Sequence, residues 1–167
     1  MPKTPTSAPV PRDRRTELLN LAAGLFAERG YKNTTVRDIA DAAGILSGSL
    51  YHHFDSKETM ADEILRTFLD SLFRDYRTIV EREGDPRRAF ERLVDASFQA
   101  IDHNHSAIAL YQNEAKQLRQ SPRFAYLDDT DREFREIWLG TLEKGIASGA
   151  FRADLDATLA YRFVRDT

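Results

Sequence analysis

Between Ser47 and His53 the chain reads Ser-Gly-Ser-Leu-Tyr-His-His, a run of short hydroxyls, a phenol and two imidazoles around one leucine. Hydroxyls and imidazole nitrogens both donate and accept hydrogen bonds. They can therefore meet the mixed donor and acceptor edges of base pairs as well as phosphate oxygens. Ser47, Gly48, Ser49, Tyr51 and His52 remain outward once Leu50 and Phe54 are assigned to a buried face, and Gly48 lets the backbone come close. Thr35 and Lys57 stand at flanking helix starts, where amide donors and a cation make a phosphate clamp, and Arg37 lies on the outer side of the first of these helices. His53 either joins this surface or packs beneath Phe54.

Other groups of residues carry weaker signals. His103-Asn104-His105 has metal-ligating types, but their spacing is alternate rather than helical, and no cysteine exists to complete a set. The triplet reads as a helix cap, and no metal or other cofactor is expected. Large aromatics crowd the second part of the chain, and Phe68, Phe98, Tyr111 and Trp138 are candidates for an apolar ligand cavity, against the plainer role of core packing. Arg162 and Arg165 flank Phe163 and Val164 on the last helix. Turned inward, either arginine needs an anionic partner, whether a structural carboxylate or the phosphate or carboxylate of a ligand. The sequence has no nucleophile elbow, phosphate-cradling glycine loop or Walker pattern, so an enzyme is not expected.

The elements that must position these residues are helices. A first helix spans Arg15 to Arg29, and Thr35 caps a second in which Val36, Ile39, Ala40 and Ala43 recur at helical spacing. Gly44 ends that helix, Ser47 restarts the chain, and Ser56 caps a long helix from Lys57 to about Arg82. That helix is about 39 Å long at 1.5 Å per residue. Gly84-Asp85-Pro86 breaks it; a fifth helix carries Ala89 to Ile101 and a sixth starts near Ser106 and stops at Ser121-Pro122. A further helix begins between Arg123 and Asp131 and ends at Gly149, and Asp154 or Asp156 caps the last. No segment alternates as a strand does. The expected fold is all-α, with a disordered arm at 1–13, a helix-turn-helix head at 14–56 and a helical ligand-binding and dimerisation domain at 57–167.

The 167 residues include no cysteine, which removes disulfides and thiolate sites and makes a reducing cytoplasm the natural location. No apolar run approaches a membrane span. The net charge of −3 is unevenly shared: Met1 to Met60 holds eight basic against seven acidic residues, and Ala61 to Thr167 sixteen against twenty. A head balance of only +1 predicts modest DNA affinity per subunit, so binding as a dimer is expected. Four of the six prolines fall at Pro2, Pro5, Pro9 and Pro11, which marks the arm. Its Lys3 and Arg12, with Arg14 and Arg15, could touch phosphate or a minor groove.

The segment from Thr34 to Glu58 resembles the N-terminal domain of TetR-family bacterial transcriptional regulators. The likeness rests on Thr-Val-Arg-Asp-Ile-Ala from Thr35, the Ala-Ala-Gly turn at Gly44, Gly-Ser-Leu-Tyr-His-His-Phe from Gly48, and Ser56-Lys57-Glu58. Upstream, Glu28-Arg29-Gly30-Tyr31 fits as well. Later stretches, from Tyr111 to Leu118, Ser121 to Tyr126, Gly145 to Asp156 and Tyr161 to Thr167, look like the TetR-type actinobacterial repressors of late cholesterol catabolism. The resemblance implies a homodimeric repressor that grips palindromic operator DNA through Ser47 to Phe54. It also implies release by a CoA thioester of a bicyclic steroid fragment, with Arg162 and Arg165 on the CoA phosphates. TetR-type control of fatty acyl-CoA metabolism or drug efflux is the alternative within the class; a helical acyl-binding module with no DNA role is the alternative outside it. The last helix has only begun where the sequence stops, so a chain cut short at its C-terminus is expected, with dimerisation a property of the complete protein.

Overall fold

The computed structural model describes Arg14 to Asp166; the expected arm at 1–13, with Lys3 and Arg12, lies outside the described residues. Seven α-helices and a 3-10 turn form among them: α1 Arg14–Arg29, α2 Val36–Ala42, α3 Ser47–Tyr51, α4 Lys57–Arg82, α5 Pro86–Leu118, η1 Pro122–Phe124, α6 Tyr126–Ala147 and α7 Ala157–Asp166. No strand occurs among the described residues. Two compact units divide between Ile64 and Leu65, inside α4. The start of α4, after Ser56, was the expected border. Met60, Ala61 and Ile64 are buried and belong to the first unit, so its core extends two turns into α4.

In the first unit α1 buries Leu18, Ala22, Leu25 and Phe26, which recur every three to four residues. Gly30, at φ +84°, closes α1 and brings Tyr31 edge-on to Phe26 with ring centroids 5.2 Å apart. Thr35 caps α2 with a full capping box: the Asp38 amide donates to its hydroxyl, and the Asp38 carboxylate accepts from the Thr35 amide. Gly44, at φ +67°, makes the turn into α3. The Thr59 amide donates to Ser56 Oγ at 3.1 Å, so Ser56 caps α4 as expected.

The second unit is built on α4 from Leu65 onward, with α5 against α6 and α6 against α7. Its core gathers around Trp138, which is 1% exposed. The rings of Phe90, Tyr76 and Phe134 surround it at centroid distances of 5.6, 5.9 and 5.9 Å. Asp85 caps α5, with Pro86 in its first turn, and Asp156 caps α7 through the Leu159 amide at 2.9 Å. The helices expected on either side of residue 104 form one element, α5, broken at Asn104 where φ −131° and ψ 28° leave the helical region. His103 Nδ1 and Asn104 Nδ2 donate to the carbonyls of Gln99 and Ala100 at 2.7 and 3.2 Å, so these two side chains serve as a cap within the helix. Among the described residues no helix is long and apolar enough to cross a membrane, and no three His, Cys, Asp or Glu groups gather as a metal ion needs.

Candidate nucleic-acid interface

A leucine and a phenylalanine hold α3 in place. Leu50 and Phe54 are 1% and 3% exposed and pin α3 into the head. Around them Gly48, Ser49, Tyr51 and His52 face outward, with Ser47 and His53 half-buried. α3 is only five residues long, shorter than the expected reach to Phe54. The chain stays coiled beyond it because the His53 and Phe54 amides both donate to the Leu50 carbonyl, at 2.9 and 3.0 Å. The His53 ring lies tilted against Phe54 at 6.4 Å and is half-buried.

α3 restarts at Ser47 as expected, but Ser47 is its first residue and not its cap. Leu46 occupies the N-cap in extended backbone, and no side-chain oxygen bonds the first free amides of α3. Leu46 went unnoticed in sequence; the available sign was an apolar residue in the position where Ser, Thr, Asn or Asp is favoured.

Thr35 is exposed, but its hydroxyl is shared with Asp38, donating to the carboxylate at 2.6 Å. The Thr35 hydroxyl first, and its amide second, hold the Asp38 carboxyl below the usual carboxylate range. The Arg37 side chain is 84% exposed and reaches Asp41 only at 3.8 Å, a loose pair worth little in water. Lys57 departs from expectation. Its ammonium donates to the carbonyls of Tyr31 and Thr34 at 2.6 and 2.9 Å and lies 4.3 Å from the Tyr31 ring centre. It ties the start of α4 to the α1–α2 loop.

Arg15 is likewise used inside the fold. Its guanidinium makes a two-pronged pair with the Glu63 carboxylate, donates to the His53 carbonyl and stacks 4.2 Å from the centre of the Phe54 ring. One side chain thus joins α1, α4 and the end of the reading segment. Arg14 is exposed and donates to the Ala43 carbonyl at 3.0 Å.

The residues expected around a ligand do not converge. Phe68 is buried and borders an open groove of about 320 Å³ with Leu72, Gln99 and His103. Phe98 is 64% exposed. Trp138 fills the core. The Tyr111 hydroxyl donates to Asp131, whose other oxygen accepts from Arg119 at 2.5 Å. Burial first, then the bond to Asp131, raises the Tyr111 phenol far above its ordinary value. Arg162 and Arg165 are exposed rather than turned inward. Ala157, Ala160, Tyr161 and Val164 take the more buried stripe of α7, and both arginines fall outside that register. Arg66, missed in sequence, lies 3.9 Å from the Tyr126 ring centre in a second groove of about 190 Å³ that also holds Arg77 paired with Glu133.

Residues 18–64 match the model of bacterial regulatory proteins of the tetR family, and residues 86–164 match a tetracyclin repressor-like C-terminal domain. The chain is 63% identical over 154 residues to the HTH-type transcriptional repressor KstR2 of Rhodococcus jostii, covering 92% of this chain and 76% of the relative. It is 56% identical to KstR2 of Mycobacterium tuberculosis over 92% of this chain and 77% of that one. The solved structure of the ketosteroid transcriptional regulator KstR2 of Mycobacterium tuberculosis superposes with a TM-score of 0.90 at 54% identity, covering 96% of this chain and 82% of its own.

Proposed function

The chain belongs to the tetR family of bacterial regulatory proteins, and from that membership we propose how its residues serve a DNA-binding transcriptional repressor. It is a repressor of the KstR2 type and controls genes of steroid-ring catabolism; it is not an enzyme. Reading is carried by Ser47, Gly48, Ser49, Tyr51 and His52, with Arg37 toward the phosphates; Thr35, expected there too, spends both its donors on Asp38 and serves as the cap of α2. The observation behind this is the contrast across α3, where Leu50 is 1% exposed and Tyr51 54%. A hydrogen-bonding face set on a buried apolar anchor can enter a major groove without disturbing the head. Lys57 and Arg15 contribute by holding that face in position.

The operator is palindromic and the repressor binds it as a homodimer, with reading helices about 34–36 Å apart in successive major grooves. The effector is a CoA thioester of a steroid-ring catabolite, bound in the second unit. The support for this class is the close relation to proteins named for ketosteroid regulation. α4 belongs to both units and so links the two events. By linkage, the effector weakens operator binding by the same factor as the operator weakens effector binding.

Fluorescence anisotropy with promoter DNA at two salt concentrations tests the DNA role, since phosphate contact gives a steep salt slope. Flat binding across salt would remove it. Thermal stabilisation by steroid-ring CoA thioesters, compared with fatty acyl-CoA thioesters and free acids, tests the effector class. Stabilisation by long-chain acyl-CoA alone would favour the fatty-acid alternative.

A further inference from the structure

We infer that Leu46 is a specificity-determining residue whose side chain meets the 5-methyl group of a thymine in the operator's major groove. This rests on the reading of α3 as the helix that enters the groove. Leu46 is 80% exposed, more than any other large apolar side chain among the described residues. A lone exposed leucine is ordinary. This one also fills an N-cap, where its side chain supplies no hydrogen bond to the free amides. α2, α4, α5 and α7 are each capped by a side-chain oxygen, from Thr35, Ser56, Asp85 and Asp156, while α6 starts without one but places only the small Ala125 at its N-cap. α3 forgoes both the cap and the burial at one residue, and local rules broken together mark a functional position.

The place of the residue names the partner. Reading helices offer their N-terminal residues to base edges. Leu46 precedes Ser47, Gly48 and Ser49 at that end, and a carbon added at Gly48 would meet nothing within 4 Å, so the neighbouring surface is open. A leucine has nothing to give a phosphate. On the major-groove edges of the base pairs the thymine methyl is the apolar feature.

The test is a cycle between protein and DNA. The intact protein selects a duplex from a random pool, and each thymine of that duplex is replaced singly by deoxyuridine, which lacks the methyl. Binding is measured by anisotropy for the wild type, Leu46→Ala and Leu46→Asn. Leu46→Ala should weaken binding about three- to tenfold with an unchanged salt slope. At one thymine of each half-site, loss of the methyl should weaken the wild type about fourfold and Leu46→Ala not at all. Leu46→Asn supplies a cap, so its melting temperature should rise while its operator affinity falls; a purely structural role would move both the same way. If methyl loss affects wild type and Leu46→Ala equally at every thymine, or if Leu46→Ala alters only self-association, the assignment to Leu46 is overturned and the repressor reading stands. If the wild type selects no sequence, the repressor reading fails and the assignment goes with it.

Discussion

Tyr51 and His52 are exposed and have little to do for the fold, so their removal separates recognition from stability. Tyr51→Ala or His52→Ala should cost operator affinity about tenfold or more. Unfolding free energy should stay within about 0.5 kcal/mol of wild type, as read by denaturant titration beside the anisotropy. Arg15→Met should behave in the opposite way. It leaves Glu63 and the His53 carbonyl without a donor and should cost about 1 kcal/mol of head stability, because the pair is partly exposed. Any loss of operator binding would then follow the fraction unfolded. Asp38 gives a pH signature. Its carboxyl titrates lower when folded, because Thr35 donates two hydrogen bonds to it. That stability is complete at neutral pH and is lost as acid protonates the folded carboxylate. The margin of wild type over Asp38→Asn in melting temperature should therefore close as pH falls through the carboxylate range. Residue types and outward faces were legible in sequence, as Tyr51 and His52 illustrate. The partners of Lys57 were not, because Tyr31 and Thr34 lie more than twenty residues away and only folding brings their carbonyls to it.

Helix ends were read well because they are local. Thr35, Ser56 and Asp156, the last as one of two aspartates offered for α7, each bond an amide three residues on, so a short window of sequence contains both partners; Asp85 was read only as part of a break. The break at Asn104 was legible for the same reason, whereas the two arms remaining one element and the 3-10 turn at Pro122–Phe124 were not. The inward stripe of α7 was misread at Arg162 and Arg165, since so short a helix allows several registers until Tyr161 finds its place. Packing between elements also went unseen at Gly145. A carbon added there would lie 2.1 Å from the Phe151 ring, which itself packs 5.9 Å from Phe90. Gly145→Ala should cost about 1–3 kcal/mol in a denaturant melt by forcing that ring away. Gly44→Ala should cost about 1–2 kcal/mol through its left-handed backbone alone, since nothing crowds the site.

For the molecule as a whole, the regulatory fold and its class were legible from motif order, whereas the effector site was not. Phe68, Phe98, Tyr111, Trp138, Arg162 and Arg165 share a composition suited to a ligand, but the chain distributes them between core, groove and surface. Composition says nothing of which face a helix turns inward. At this scale the expected coupling is reciprocal. A steroid-ring CoA thioester that weakens operator binding by some factor should itself be bound more weakly, by the same factor, when operator is saturating, as calorimetry in both orders would measure. Trp138 bears on how such experiments are read. It is the single tryptophan of the chain, and it is sealed among aromatic rings in the second unit. Indole fluorescence will therefore follow the melting of that unit alone, while circular dichroism sums both. Where the two curves part company, the difference is the optical trace of a DNA-reading head that carries no indole lamp of its own.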